Sequence, residues 1–322
     1  MVLKKGLLAL LGIVLFVFIL SRADLAQVWQ VLLHANLQIY FVCLLLLALT
    51  ILLKGLKWKA LVQCVGEKIG LSDAIKIYLV GLFVGNITPG KVGDFARAWY
   101  VKDKVRLPAG LASVFIDRVM DIGMLLALSL FSALWLAQSY GAMPISTDLI
   151  VLVTAAFLIA IFFLFKEKYL RAAFRPLFRF MVPESFREKL SSLFTDFFSA
   201  LKSAGKNMPL FLASLCLGAV LWLLNAVVFY LLAMSLSISL PAEVLLAIFP
   251  IMALVDVLPI SVSGIGTRDA ALIFLFSFFA VPAEHAVALS LLVFFTGYLL
   301  ISLVGLFYFI STNRKMPGAF HE

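Results

Sequence analysis

The chain has 322 residues, 64% of them hydrophobic and only 13% charged, with a mean hydropathy of +1.13. Soluble proteins carry about 45–50% apolar and about 25% charged residues, so a water-soluble globular protein is excluded. The formal charge of +9 would suit nucleic acid, but in a chain this apolar the basic residues first report orientation across a bilayer.

In chain order, apolar blocks that reach across a bilayer core, which takes roughly 20 helical residues, are expected at 6–20, 37–53, 109–137, 149–165, 209–234 and 284–310. The first is short and comes after Lys4 and Lys5 like a signal peptide, with Ser21-Arg22-Ala23 as a weak cleavage point. It reads better as an uncleaved helix, since the remainder of the chain is itself a membrane domain. Two more blocks, 77–100 and 242–280, are interrupted by Asn-Ile-Thr-Pro-Gly-Lys-Val-Gly (86–93) and Pro-Ile-Ser-Val-Ser-Gly-Ile-Gly (259–266). Such runs end helices.

If block 77–100 crossed completely, Lys102, Lys104 and Arg106 would face the side opposite the basic loop containing Lys54, Lys57, Lys59, Lys68 and Lys76. If it dips in and returns, 21 of the 26 Lys and Arg residues are cytoplasmic, Arg22 alone is outside, and Lys91, Arg97, Arg118 and Arg268 lie at membrane depth. The positive-inside rule favours the second arrangement. Both termini are then cytoplasmic in a multi-pass protein of the cell membrane, and block 242–280 also returns to its starting side. The expected architecture is a single all-α membrane domain over 1–322. Its halves, 37–137 and 209–310, have inverted topology, each containing a broken, re-entrant helical hairpin. Paired interrupted segments in inverted halves point to a transporter's midplane site. A basic cytoplasmic linker, 166–207, joins the halves, with Phe186, Leu190, Leu193, Phe194, Phe197, Phe198 and Leu201 on one helical face; it reads equally as an interfacial amphipathic helix against anionic lipid and as a solvated connector whose charges only set topology.

Ionisable residues inside a membrane cost at least about 2.5–3.5 kcal/mol each and are functional candidates by default. Here they are Lys91, Asp94 and Arg97 at the first break, Asp117, Arg118 and Asp121 on the next helix, and Asp256, Arg268 and Asp269 at the second break. Asp117 and Asp121 share a face, and Arg118 lies three residues before Asp121, so internal ion pairs are expected. The alternative is that these pairs only hold the broken helices in place. Arginine's planar fork matches phosphate oxygens. Arg97 and Arg268 each come after a glycine-rich break, and a helix restarting after Gly93 or Gly266 would offer free N–H groups to an anion. Asn86, Gly90, Gly93, Gly264 and Gly266 complete the expected site.

No catalytic or metal constellation is apparent, so no enzyme activity, metal or cofactor is expected. Gly85 to Val92 approaches a nucleotide-binding loop, but Val92 stands where Ser or Thr is required. His34, His285 and His321 are scattered, and Cys43, Cys64 and Cys216 are far apart. Asn86-Ile87-Thr88 matches a glycosylation pattern but falls in a break, where it reads as turn chemistry.

Lys57-Trp58 before Leu61 and Gly66, the run Asn86 to Asp94 with Arg97, Asp117-Arg118-Val119-Met120-Asp121, and Ser263-Gly264-Ile265-Gly266-Thr267-Arg268-Asp269-Ala270-Ala271 together resemble the flippase-like family, also called the lysylphosphatidylglycerol synthase transmembrane region. In its bifunctional members this region moves an aminoacylated phospholipid between leaflets and a separate cytosolic domain attaches the amino acid; that domain is absent from this sequence. The resemblance implies translocation of an anionic phospholipid or lipid-linked head group, with Arg97 and Arg268 engaging its phosphate and the acids setting the cavity's charge. The partners it implies are a membrane lipid, no nucleic acid, and a separate lipid-modifying enzyme; the exposed helix faces would permit a homodimer. Two rival readings are a secondary transporter of a small polar or anionic solute and a membrane enzyme acting on a lipid-linked phosphate.

Overall fold

A computed structural model describes residues 14–141, 184–258 and 260–313, together with isolated positions at 12, 148, 151, 152, 155, 156 and 159. Among the described residues the regular elements are all helices, without strands. Helix α1 (Val14–Arg22) bends by 88° into α2 (Leu25–Leu33), because Asp24 leaves helical geometry and its carboxylate caps the N–H groups of Ala26 and Gln27 at 2.9 and 3.2 Å. Asn36 caps α3 (Leu37–Cys64) in the same way. Three further helices are long and apolar enough to span a bilayer: α6 (Leu107–Tyr140), α8 (Met208–Ser235) and the run Ala283–Ser311. That run consists of α11 (Ala283–Phe294), a π-helical turn (Phe295–Leu300) and α12 (Ile301–Asn313).

Four of the six expected spans are therefore present, three of them with nearly the expected ends. The exception is α3, which continues eleven residues past the expected end at 53. Lys54, Lys57 and Lys59 lie on that helix, not in a basic loop, and Lys57 is buried. The span expected at 149–165 lies outside the described residues apart from five isolated positions. The expected cytoplasmic linker at 166–183 lies outside them entirely.

The interrupted blocks fold back on themselves. The first comprises α4 (Leu71–Asn86), a tight turn over Pro89–Phe95 and the short α5 (Ala96–Tyr100). Gly81 lies against the Arg97 side chain, Gly85 against the Asp94 carboxylate, and Gly93 against the Val84 carbonyl. This is the pairing of an antiparallel hairpin. The second comprises α9 (Ala242–Val257) and α10 (Thr267–Ser277), with Gly264 against both Asp256 and Arg268. At about 1.5 Å per residue, the 16-residue limbs α4 and α9 reach only about 24 Å, less than the ~30 Å hydrocarbon core. Hairpin limb α4 packs on closing helix α12, and limb α9 packs on α6, the closing helix of the first half; α3 and α8 pack on each other. Each hairpin is thus held by the other half of the chain. Pro250 lies inside α9, and Ser129 of α6 donates a 2.8 Å hydrogen bond to its carbonyl.

Helix α7 (Glu184–Lys206) lies where the amphipathic helix is expected, but its described apolar face turns toward protein. Phe198, Ala200 and Ala204 are buried, and Phe197 packs edge-on against Phe115 of α6. The side chains of Phe186 and Leu190 lie outside the described residues.

The second break also carries the N-terminal segment. A Cβ on Gly266 would collide with the Gly12 carbonyl, and one on Gly12 would stand 2.7 Å from Ser261 Cβ. Gly264 and Gly266 both have positive φ, at 72° and 83°. Gly264→Ala should therefore lower stability by about 1–3 kcal/mol from backbone strain alone. The helical Gly123, whose Cβ would meet nothing within 4 Å, should accept Ala without loss. Thermal unfolding in detergent distinguishes the pair, and equal melting temperatures would contradict the packing described.

Candidate functional site

The first hairpin, α3 and α6 enclose six charges. Lys57 lies 2.9 Å from Asp117 and 2.5 Å from Asp121. Arg97 Nη1 lies 2.8 Å from Asp117. Arg118 contacts Asp94 at 2.9 Å and Asp121 at 3.0 Å. Three cations face three carboxylates, so the cluster is neutral as a whole. Lys57 and Arg97 are each 1% exposed and Asp117 is fully enclosed. Charges so far from water persist only when paired. Helix spacing explains the pattern: Asp117 and Asp121, one turn apart, share a face, which here meets Lys57, and Arg118 reaches Asp121 across three residues.

Arg97 is plated by aromatic rings, 4.4 Å from the Tyr78 centroid and 5.3 Å from that of Trp58. Trp58 in turn donates to Ser113 of α6 at 3.2 Å. Arg268 sits in a comparable nest in the second half. Its Nε donates to Ser290 at 2.9 Å and its Nη1 to the Ser263 carbonyl at 3.2 Å, with Asp256 at 3.6 Å and the Tyr298 ring 5.1 Å away. Tyr298 donates its hydroxyl to Asp256. Asp269 accepts the Gly266 N–H at 2.8 Å and caps α10.

The hairpin tips touch. Ser263 donates a 2.6 Å hydrogen bond to the Asn86 carbonyl, and Asn86 donates its amide to Ser302 of α12 at 2.9 Å. Beside this contact lies a cavity of about 180 Å³, lined by Lys54, Asn86, Lys91, Asn225, Asp256 and Tyr298 together with Trp222 and Phe249. A second chamber of about 130 Å³ shares Lys54, Lys91, Trp222 and Asn225 with it and extends to Lys57, Gly90, Arg118 and Asp121. An apolar groove of about 360 Å³ between α6, α8 and α9 adjoins the first chamber at Trp222 and Phe249, which line both. The π-helical turn brings Thr296, Gly297 and Tyr298 to the cavity wall; such turns recur at functional sites because the extra residue re-aims side chains.

The structure therefore gathers Asn86, Gly90, Lys91, Asp94, Arg97, Asp117, Arg118 and Asp121 into one cluster and its adjoining cavity. It places Gly264, Arg268 and Asp269 in the second hairpin. Arg97 and Arg268 line neither chamber; both are turned into their own halves. The expected helix N-termini are not open anion sites either. Gly93 lies inside the tight turn and only a five-residue helix follows, and at the second break the protein's own Asp269 takes the Gly266 N–H. The cations that do line the cavity include Lys54, which the sequence places in a loop. Its spacing of three from Lys57 on a continuous helix is the signal that would have found it. Tyr78, Asn225, Ser290 and Tyr298 also lie outside the expected set, since neutral polar residues in apolar helices carry little sequence signal. Among the described residues no cluster of His, Cys, Asp and Glu suits a metal ion.

A balanced ion cluster and a polar cavity inside a bundle of long apolar helices define a polytopic membrane protein with a site between two helical hairpins. The chain belongs to the family described as the lysylphosphatidylglycerol synthase TM region, whose model matches residues 5–305. It is similar to a UPF0104 membrane protein of Methanocaldococcus jannaschii, 23% identical over 97% of this chain and 96% of the relative. A UPF0104 membrane protein of Methanothermobacter thermautotrophicus is 24% identical over 87% of this chain and 85% of its own length.

Lys57→Met should leave a buried uncompensated carboxylate and cost about 3–5 kcal/mol. Adding Asp117→Asn restores neutrality, so the double variant should lose less than the sum of the single losses. A double-mutant cycle by thermal unfolding in detergent reads the coupling; additivity would contradict a cluster held by charge balance.

Proposed function

We propose that the chain is a lipid flippase or scramblase that passes an anionic head group through the cavity between its hairpins while the tails remain in apolar surroundings. The observation that carries this reading is the adjacency, at Trp222 and Phe249, of a cation-lined chamber and an apolar groove. A soluble solute needs only the first; an amphiphile needs both. Membership of a family described by a lipid synthase's membrane region supports a lipid over another amphiphile.

In this reading the hairpins are re-entrant, entering from opposite sides of the cell membrane in inverted halves with both termini cytoplasmic. Three features support it: the limbs are short for a crossing, each hairpin packs on the closing helix of the other half, and unsatisfied backbone at membrane depth is tolerated only beside a cavity or inside protein. Parting of the Asn86–Ser263 contact would open the cavity toward one leaflet at a time. Arg97 and Arg268 brace their hairpins, while Lys54 and Lys91 meet the substrate. No covalent step is involved, so the chain acts as a transporter and not as an enzyme.

Liposomes containing the purified protein should exchange a fluorescent anionic phospholipid between leaflets. Trp222→Glu places a charge where the tail passes, and a tail that meets a penalty of about 2.5–3.5 kcal/mol there should exchange on the order of a hundredfold more slowly. Uptake of a soluble anion without lipid exchange would instead identify a solute transporter.

A further inference from the structure

Charge compensation in the cavity wall is incomplete. Lys57 and Arg118 are matched by Asp94, Asp117 and Asp121 within the neutral cluster. Asp256 faces Arg268 and accepts from Tyr298. Asp269, outside the cavity, is engaged at the start of α10. Lys54 and Lys91 remain. Both line both chambers, and among the described residues neither has a carboxylate within ion-pairing distance; Lys91 has only the Tyr298 ring, 5.3 Å from its Nζ. Lys91 is moreover held at a positive φ of 55°, a conformation uncommon for a residue with a side chain, on the turn that places it at the cavity.

Each of the neutral polar side chains Asn86, Asn225 and Tyr298 on the same wall already gives one donor to protein. The amide nitrogen of Asn86 donates to Ser302, that of Asn225 to the Leu221 carbonyl, and the Tyr298 hydroxyl to Asp256. Few free donors are left beside them, and the oxygens that stay open, Asp256 Oδ1 among them, are acceptors. What the wall offers is two ammonium groups, which act as point charges toward phosphate.

We propose that the cavity selects lipids ending in a phosphate monoester, whose charge of about −1.5 to −2 near neutral pH matches two uncompensated lysines, over phosphodiester lipids carrying a single charge. This rests on the lipid reading above and names its substrate class. A free phosphate ion shares the recognised chemistry, and the test separates the two sources.

The test is binding of phosphatidic acid, phosphatidylglycerol and phosphatidylcholine with identical acyl chains to the detergent-solubilised full chain, with inorganic phosphate as competitor. Phosphatidic acid should bind on the order of tenfold more tightly than phosphatidylglycerol, with phosphatidylcholine weakest. Lys54→Gln and Lys91→Gln should each reduce that advantage to near parity, and Lys91→Arg should retain it; unchanged melting temperatures establish that the variants are folded. Equal binding of phosphatidic acid and phosphatidylglycerol would overturn the monoester preference while leaving the lipid reading intact. An advantage that survives in both glutamine variants would overturn the assignment to these lysines. Displacement of the lipid by inorganic phosphate at comparable concentration, or no lipid binding at all, would overturn the lipid reading itself.

Discussion

Six charges clustered inside an apolar helical bundle, four of them buried, can persist only if they neutralise one another, and that constraint organises the first half of the molecule. The cost of removing one ion from water is several kcal/mol after relaxation, so Lys57, Arg97 and Arg118 must be met by Asp94, Asp117 and Asp121. These residues come from α3, the first hairpin and α6, which fixes three segments relative to one another. Glycine makes the closure possible, since a side chain at 81 or 85 would occupy the space taken by Arg97 or Asp94.

The second half solves the problem with fewer charges. Arg268 rests on one carboxylate, a serine hydroxyl, a backbone carbonyl and an aromatic plate, and its hairpin reaches Asn86 of the first through Ser263. Because the chambers lie beside the meeting point of two hairpins, small shifts in either would change access to the cavity without disturbing the long helices. Lys54 and Lys91 are the cations that this packing leaves facing the open space.

Much of the fold was legible in the sequence because the relevant signals are local. Apolar runs gave the spans, and Gly-Pro-rich runs gave the reversals at 86–93 and 259–266. Helix spacing gave the Asp117–Arg118–Asp121 face. The features that were not legible depend on partners distant in sequence. Lys57 reads as a loop residue until Asp117 is placed beside it, so α3 was expected to end eleven residues too early. Arg97 and Arg268 come after glycine-rich breaks as a phosphate-binding arginine would, but the direction of a side chain is set by packing, and here aromatic plates and carboxylates turn both inward. Asp269 similarly reads as a free acid until α10 shows that it caps its own helix. The amphipathic pattern of α7 is real, yet periodicity does not distinguish a face turned to lipid from one turned to α6.

The central claim is that both hairpins enter and leave on the same side, one from each face of the membrane. Single cysteines at the four hairpin ends, Ser72→Cys and Lys104→Cys in the first and Glu243→Cys and Ser277→Cys in the second, test it most directly. The background would be Cys216→Ser, which removes the exposed native thiol, and the reagent a membrane-impermeant thiol label applied from each side. The account predicts that residues 72 and 104 label from one side and residues 243 and 277 from the other. Labelling of the two ends of either hairpin from opposite sides would mean that it crosses the membrane, which would contradict the inverted, re-entrant arrangement and with it the shared cavity as a route between leaflets.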